Sequence, residues 1–241
     1  ARKRRRMPAK KYRMRYRGRY RRRRQRIPRY ITPDTKLVKL RYAFTTQIDP
    51  ASGATAWLPI AANDLYSPST GLGAHRPLGF DQCMQLYERF CVVGSKINVV
   101  IQSVASANHA HLHIMGVALR DTTTAENVQD NGATLANEGL LERNNTFWKY
   151  VGDTEQGAPP KTITYKFSTK KHFRVKSIND QAGSLLDEGT LWGTASASPT
   201  TKAYYNVFAS TVADNADTKY FFRVVVDYVA VLSGRKMLGQ S

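Results

Sequence analysis

Apolar and polar residues alternate with a period of two in several separate stretches of this chain. Val38, Leu40, Tyr42 and Phe44 alternate with Lys39, Arg41, Ala43 and Thr45. Ile97, Val99 and Ile101 alternate with Asn98, Val100 and Gln102, and Ile163, Tyr165 and Phe167 alternate with Thr162, Thr164 and Lys166. Successive side chains of an extended strand point to opposite faces, so each stretch sets one apolar face against a core. Residues 204–212 carry aromatic and β-branched side chains on both faces. Residues 220–232 are apolar on both faces apart from Arg223 and Asp227, which predicts a central, buried strand. Polar connections at 49–79, 121–139, 152–160 and 177–199 are too long for tight hairpins and read as loops. One short helix is predicted over 80–90, with Phe80, Met84, Tyr87 and Cys91 on one stripe and Asp81 at the positive end of its dipole.

Ahead of the first alternating stretch the composition changes completely. Residues 1–30 hold 17 Lys or Arg and no acid, while the chain as a whole has 37 basic and 18 acidic residues. The remainder thus carries 20 basic against 18 acidic residues, and the formal charge of +19 divides into +17 on the arm and +2 on the body. Dense like charge, few apolar groups and the breakers Pro8, Gly18 and Pro28 oppose independent folding of the arm. A polycation calls for a polyanion, of which nucleic acid is the commonest.

Fourteen of the arm's cations are Arg, whereas the body has 8 Arg and 12 Lys. Guanidinium forks onto phosphate oxygens through two parallel hydrogen bonds, so the bias points to phosphate contact. The candidate contacts are Arg2, Lys3, Arg4, Arg5, Arg6, Lys10, Lys11, Arg13, Arg15, Arg17, Arg19, Arg21, Arg22, Arg23, Arg24, Arg26 and Arg29. Tyr12, Tyr16 and Tyr20 are interleaved with them and offer rings for stacking on unpaired bases. The runs at 2–6 and 21–24 also suit recognition by nuclear import machinery. Nothing in the arm presents a rigid element to base edges, so sequence-specific readout is not expected.

The division expected is an arm at 1–33 and one folded domain at 34–241, long enough to bury a full core. Cys83 and Cys91 are too few for a disulfide framework and read as buried free thiols. No stretch approaches the length of a membrane span, and no membrane insertion is expected.

Several other features are candidates for chemistry. His109, His111 and His113 would share one face of a strand, the spacing of a zinc site, but no carboxylate ligand accompanies them in sequence; the expectation is no metal and no cofactor. Asp187 and Glu188, and Asp214 and Asp217, lie in polar stretches where calcium binding is a minor alternative. No Ser-His-Asp set, paired carboxylates or Gly-rich phosphate loop can be assembled, so the chain is not read as an enzyme. Lys166, Lys170, Lys171, Arg174 and Lys176 form a second basic cluster interleaved with Phe167, His172 and Phe173. Lys170, Lys171 and Arg174, together with Lys39 and Arg41 on the strand that continues the arm, are secondary candidates for nucleic-acid contact.

Residues 77–97, PLGFDQCMQLYERFCVVGSKI, resemble a segment of the capsid proteins of circoviruses and related circular single-stranded DNA viruses. A pattern of the form GFDQWMxLYxxYxVxGSKI there runs from a short helix into a strand. Cys83 stands where that pattern often has Trp, and Phe90 where it often has Tyr; both keep an apolar residue. The Arg-rich start followed by a β-rich body matches the same family along the whole chain. The resemblance implies an all-β single jelly roll of two packed four-stranded antiparallel sheets, with long loops and one or two short helices. It further implies a T=1 icosahedral shell of 60 copies, a packaged single-stranded DNA genome (or RNA in recombinant particles), a host attachment receptor, and location in the virion and, during assembly, the host nucleus. Sixty such arms would carry roughly 1,000 positive charges, a large share of the phosphates on a strand of one to two thousand nucleotides.

Two other function classes match part of the sequence. A ribosomal or chromatin-type binder usually carries positive charge on its folded body, which a body of +2 opposes. The replication endonuclease of such viruses has a His-hydrophobic-His motif like His111-Leu112-His113, but its Tyr-x-x-Lys nucleophile pattern is absent from this sequence.

Overall fold

The computed structural model describes residues 33–48, 55–69, 75–104, 113–123, 142–151, 159–175, 188–211 and 219–236. The strands are β1 (Thr35–Ile48), β2 (Thr55–Ala61), β3 (Tyr87–Val104), β4 (His113–Arg120), β5 (Thr146–Val151), β6 (Lys161–Ser168), β7 (Gly193–Thr194), β8 (Tyr204–Thr211) and β9 (Lys219–Arg235). Two short helices, α1 (Phe80–Leu86) and α2 (Thr169–His172), and a 3-10 turn at Glu188–Leu191 complete the described elements.

The strands form two antiparallel sheets, one ordered β1-β9-β3-β6 and the other β2-β8-β4-β5. Apart from β7, β1 pairs with β9, β2 with β8, β3 with β6 and β4 with β5, as when one long hairpin is rolled around a common core. This is the strand order of a single jelly roll. The expected pair of four-stranded sheets is one strand short, because the two residues of β7 add to the first sheet beside Arg89 and Phe90 of β3.

The alternations predicted from sequence face inward as expected. Ile97, Val99, Ile101, Ile163 and Phe167 from one sheet meet Met115, Val117, Tyr205 and Val207 from the other in a single buried cluster. The sheets are also joined by polar contacts inside that cluster. Tyr228 donates its hydroxyl to the Ala61 carbonyl at 2.7 Å, and Ser95 donates to the Ala62 carbonyl at 2.6 Å while lying 2.9 Å from the Tyr205 hydroxyl. Burial pushes both phenols above their ordinary range, so each acts as a neutral hydroxyl.

Beside the core, the chain following β2 is pinned to the chain preceding β8. Asn63 donates to the Thr201 carbonyl and accepts from the Ala203 amide, both at 2.9 Å. The buried Asp64 carboxylate accepts the Tyr66 and Ser67 amides through one oxygen and faces Lys202 Nζ at 3.0 Å through the other. A buried carboxylate that lost this cation would be left uncompensated.

Further expectations need correction: the stretch read as a loop at 49–79 contains β2, and that at 177–199 contains the 3-10 turn and β7. The helix ends at Leu86 instead of reaching residue 90, and Tyr87 through Cys91 begin β3, with Tyr87 already extended at φ −127° and ψ 152°. A run of Tyr, Phe and two Val favours the pleated form, and the β9 ladder supplies the hydrogen bonds a longer helix would have made internally. In addition, β9 is central, between β1 and β3, but only one of its faces is fully buried; on the other, Phe221 and Arg223 are exposed and Val225, Asp227 and Val229 half-buried.

Cys83 and Cys91 are both free, and Cys91 is buried beneath Val175 and Leu191. Burial pushes the Cys91 thiol up to about 12, so at pH 8 it is almost wholly protonated and shielded. A thiol reagent added to the native protein at pH 8 is expected to leave Cys91 unlabelled until denaturant is present; rapid native labelling at that position would contradict this packing.

Candidate nucleic-acid interface

A bulge in β3 decides which residues look outward from the first sheet. Val92 pairs with Ala230 and Gly94 with Val229, which leaves Val93 as the extra residue. The shift by one lets Phe90 and Val92 face the core on one side of the bulge and Ser95, Ile97 and Val99 on the other. Past the bulge, Gly94, Lys96 and Asn98 therefore look outward.

Cross-strand register then aligns the outward residues in rows. One row runs Arg41, Asp227, Lys96, Lys166 across all four strands β1, β9, β3 and β6. The adjacent row runs Lys39, Val229, Gly94, Ser168. Together they bound an open furrow of about 750 Å³, with Gly94 and Val229 as floor and Lys39, Arg41, Lys96 and Lys166 around it. All four cations are exposed. Arg223, on the same face nearer the start of β9, is a fifth. Neighbouring strands lie about 4.8 Å apart, so the charged row is some 15 Å long, a span that several phosphates of one strand can occupy.

Gly94 is required at the floor. A side-chain carbon there would stand 2.9 Å from the Phe167 carbonyl oxygen, a backbone atom that cannot swing aside. Its absence of side chain also keeps the furrow deep.

Asp227 is the acid within the charged row. Its carboxylate takes a hydrogen bond from Arg41 Nε at 2.6 Å, and this contact raises the guanidinium pKa further. Among the described residues no acid lies within ion-pair distance of Lys39, Lys96 or Lys166.

The outer face of the second sheet is different in kind. Its central row is Trp57, Phe208, Gly116, Trp148, flanked by Thr55, Ser210, Ile114 and Tyr150 on one side and Pro59, Asn206, Ala118 and Thr146 on the other. None of these twelve positions is charged. Phe208 lies across Gly116, where a side-chain carbon would meet its ring at 2.4 Å, and packs with Trp57, Trp148 and Ile114. These three rows carry no cation, and Arg120 enters only in the next row, beside Tyr204, whereas four cations surround the furrow on the first sheet.

The sequence-derived candidates fall into three groups. Lys39 and Arg41 line the furrow, as does Lys166. Lys170, Lys171 and Arg174 are exposed but belong to α2 and the residue pair after it, and they do not line the furrow. Arg174 holds φ at 55°, the left-handed region that favours glycine, where the helix ends. On α2 itself, His172 Nε2 lies 2.5 Å from Asp121 Oδ1, so this segment is tied to the end of β4. The arm candidates at 2–29 and Lys176 lie outside the described residues, as do His109 and His111; β4 begins at His113. Asp187, Asp214 and Asp217 also lie outside them. Among the described residues no three His, Cys, Asp or Glu come together as a metal site would require. No helix among them is long and apolar enough to cross a membrane.

Lys96 and Arg223 were missed as candidates by sequence reasoning. Each is a lone cation inside an apolar strand, and only the pairing register reveals that Lys96 stands between Asp227 and Lys166.

No protein-family model matches the chain, and no curated protein matches it. Solved structures do show likeness. Desmodium yellow mottle tymovirus aligns over 89% of this chain and 97% of its own at 12% identity and a TM-score of 0.40. A semi-empty virus-like particle of the nodavirus of the prawn Macrobrachium rosenbergii aligns over 89% and 90% at 11% identity and a TM-score of 0.43. The 60-mer BFDV capsid protein aligns over 86% and 97% at 10% identity and a TM-score of 0.40. At such values the jelly-roll assignment rests on the strand order of the chain itself.

Proposed function

We propose that the chain is a viral capsid protein that closes a T=1 shell of sixty copies around single-stranded DNA. The arm at 1–33 gathers the strand, and the body at 34–241 builds the shell. The observation that carries this is the distribution of charge on the jelly roll: +17 on the arm, and on the body a furrow with four cations across one sheet face. A jelly roll by itself hosts lectins and cupins as well as capsids, so the fold does not choose among them. The charge does.

The chemistry of the furrow is binding only. Lysine ammonium groups act as point charges on phosphate oxygens, and Arg41 offers a planar fork. Of the groups that line it, the Ser95 and Tyr228 hydroxyls are turned inward onto the Ala62 and Ala61 carbonyls, and Asp227 is held by Arg41. Contact of this kind is independent of base sequence and weakens with salt. The same proposal includes nuclear import through the arm, a virion location with a nuclear assembly stage, and an attachment receptor met by the exterior loops.

Light scattering on the full-length protein, with absorbance at 260 and 280 nm, tests it. Particles of roughly sixty-subunit mass with excess 260 nm absorbance are expected. A species that never exceeds a small oligomer, and binds nucleic acid as a salt-sensitive monomer, would place the chain with the ribosomal or chromatin-type binders instead.

A further inference from the structure

An acid in the middle of a cationic row is unfavourable for polyanion binding, and the sheet does not need one there. The outward neighbours of Asp227 along β9 are Val225 and Val229, so this face accepts apolar residues at the same depth. Asp is also a poor strand residue, least suited to a central strand such as β9. Register nevertheless places it directly between Arg41 and Lys96, and its carboxylate holds Arg41 Nε at 2.6 Å.

We infer that Asp227 is a built-in competitor for phosphate: it occupies Arg41 and keeps the furrow from holding a polynucleotide until strand is locally concentrated. The inference rests on the nucleic-acid function proposed for the furrow. With Asp227 in place the four cations act as a net charge of three, and the one guanidinium among them is engaged. The pair is solvent-accessible, the side chains being 69% and 39% exposed, so it is weak and exchanges readily. An incoming phosphate can take Arg41 over, but only when its concentration near the furrow is high. A strand already bound by the arm of the same chain meets that condition, since tethering supplies effective concentrations of about the millimolar range. Free strand in dilute solution does not. The body then engages nucleic acid second, after the arm, and does not collect unrelated polyanions beforehand.

The test is the salt dependence of binding of a short oligothymidylate to the full-length protein. Each additional phosphate contact on a single strand steepens the slope of log K against log salt by about 0.7, which corresponds to about fivefold tighter binding at 0.1 M salt. Asp227→Asn keeps the side-chain shape and frees Arg41. It is expected to bind about fivefold tighter at about 0.1 M salt, with the gain fading toward 1 M. Arg41→Ala added to Asp227→Asn should erase the gain.

Binding by Asp227→Asn that is unchanged or weaker, at whatever heat-unfolding midpoint, overturns the inference and leaves Asp227 as a structural counter-ion. Lys96→Ala with Lys166→Ala separates this from failure of the furrow itself. If that double variant binds more weakly, with a slope shallower by about 1.4, while Asp227→Asn shows no gain, the furrow stands and the competitor falls. If it binds as the unaltered protein does, the furrow is not a nucleic-acid interface and both fall.

Discussion

Replacing the fourteen arm arginines by glutamine yields particles that carry little or no nucleic acid. The arm holds 17 of the chain's cations with no acid among them, so the change leaves it with Lys3, Lys10 and Lys11 alone. Each phosphate neutralised on a single strand contributes about 0.7 to the salt slope, so full engagement of fourteen guanidiniums contributes about ten. That is many orders of magnitude in affinity at about 0.1 M salt, and no other part of the chain can replace it. The furrow offers four cations with one carboxylate among them, and the body as a whole is +2.

Folding of the body should be untouched, because its buried cluster is built from residues between Tyr42 and Leu232. The expected result is a normal circular-dichroism spectrum, a 260 to 280 nm ratio falling to that of protein alone, and a collapsed salt dependence. Particles that retain their nucleic acid after this substitution would sink the packaging role of the arm. Lysine in place of arginine gives a milder version of the experiment. Charge is kept but the bidentate fork is lost, so binding should weaken while the slope holds.

The legible parts of the fold were those governed by local periodicity. β1 shows its inward face in Val38, Leu40, Tyr42 and Phe44, all packed on the core, and its outward face in Lys39 and Arg41, which line the furrow. What sequence could not supply was pairing. Lys96 and Lys166 are seventy residues apart and become neighbours only because β3 and β6 pair in that register. The bulge at Val93 hid part of β3, since it puts Phe90 and Val92 out of phase with Ile97 and Val99. Within the stretch read as one polar loop, β2 was obscured by Pro59. Proline lacks an amide donor and argues against a central strand, but β2 lies at the edge of its sheet, where a missing donor is tolerated. In the family-like segment the apolar spacing at 80, 84, 87 and 91 fits a helix as well as the mixed form adopted. Periodicity over so few residues does not distinguish them.

That ambiguity gives the second large effect. On the helical stripe of Phe80, Met84, Tyr87 and Cys91, Phe90 falls to one side, and its truncation would cost little. In the jelly roll it is fully buried on β3, with its ring edge-on to Phe80 of α1 at 5.4 Å between centroids. Its far end covers Gly193 of β7, where a side-chain carbon would stand 2.5 Å from Phe90 Cζ. One ring therefore holds α1, β3 and β7 together. Phe90→Ala removes the ring from a site closed on several sides, and truncations of this kind cost about 3–5 kcal/mol. Against a total of about 5–15 kcal/mol for a domain, the urea midpoint should fall by about a fifth or more. Phe90→Leu retains most of the volume and should lose clearly less. Gly193→Ala attacks the same contact from the other side by overpacking and is expected to cost about 1–3 kcal/mol. A loss below about 1 kcal/mol for Phe90→Ala, within the range of surface substitutions, would mean that the helix runs on through this residue and that β3 begins later.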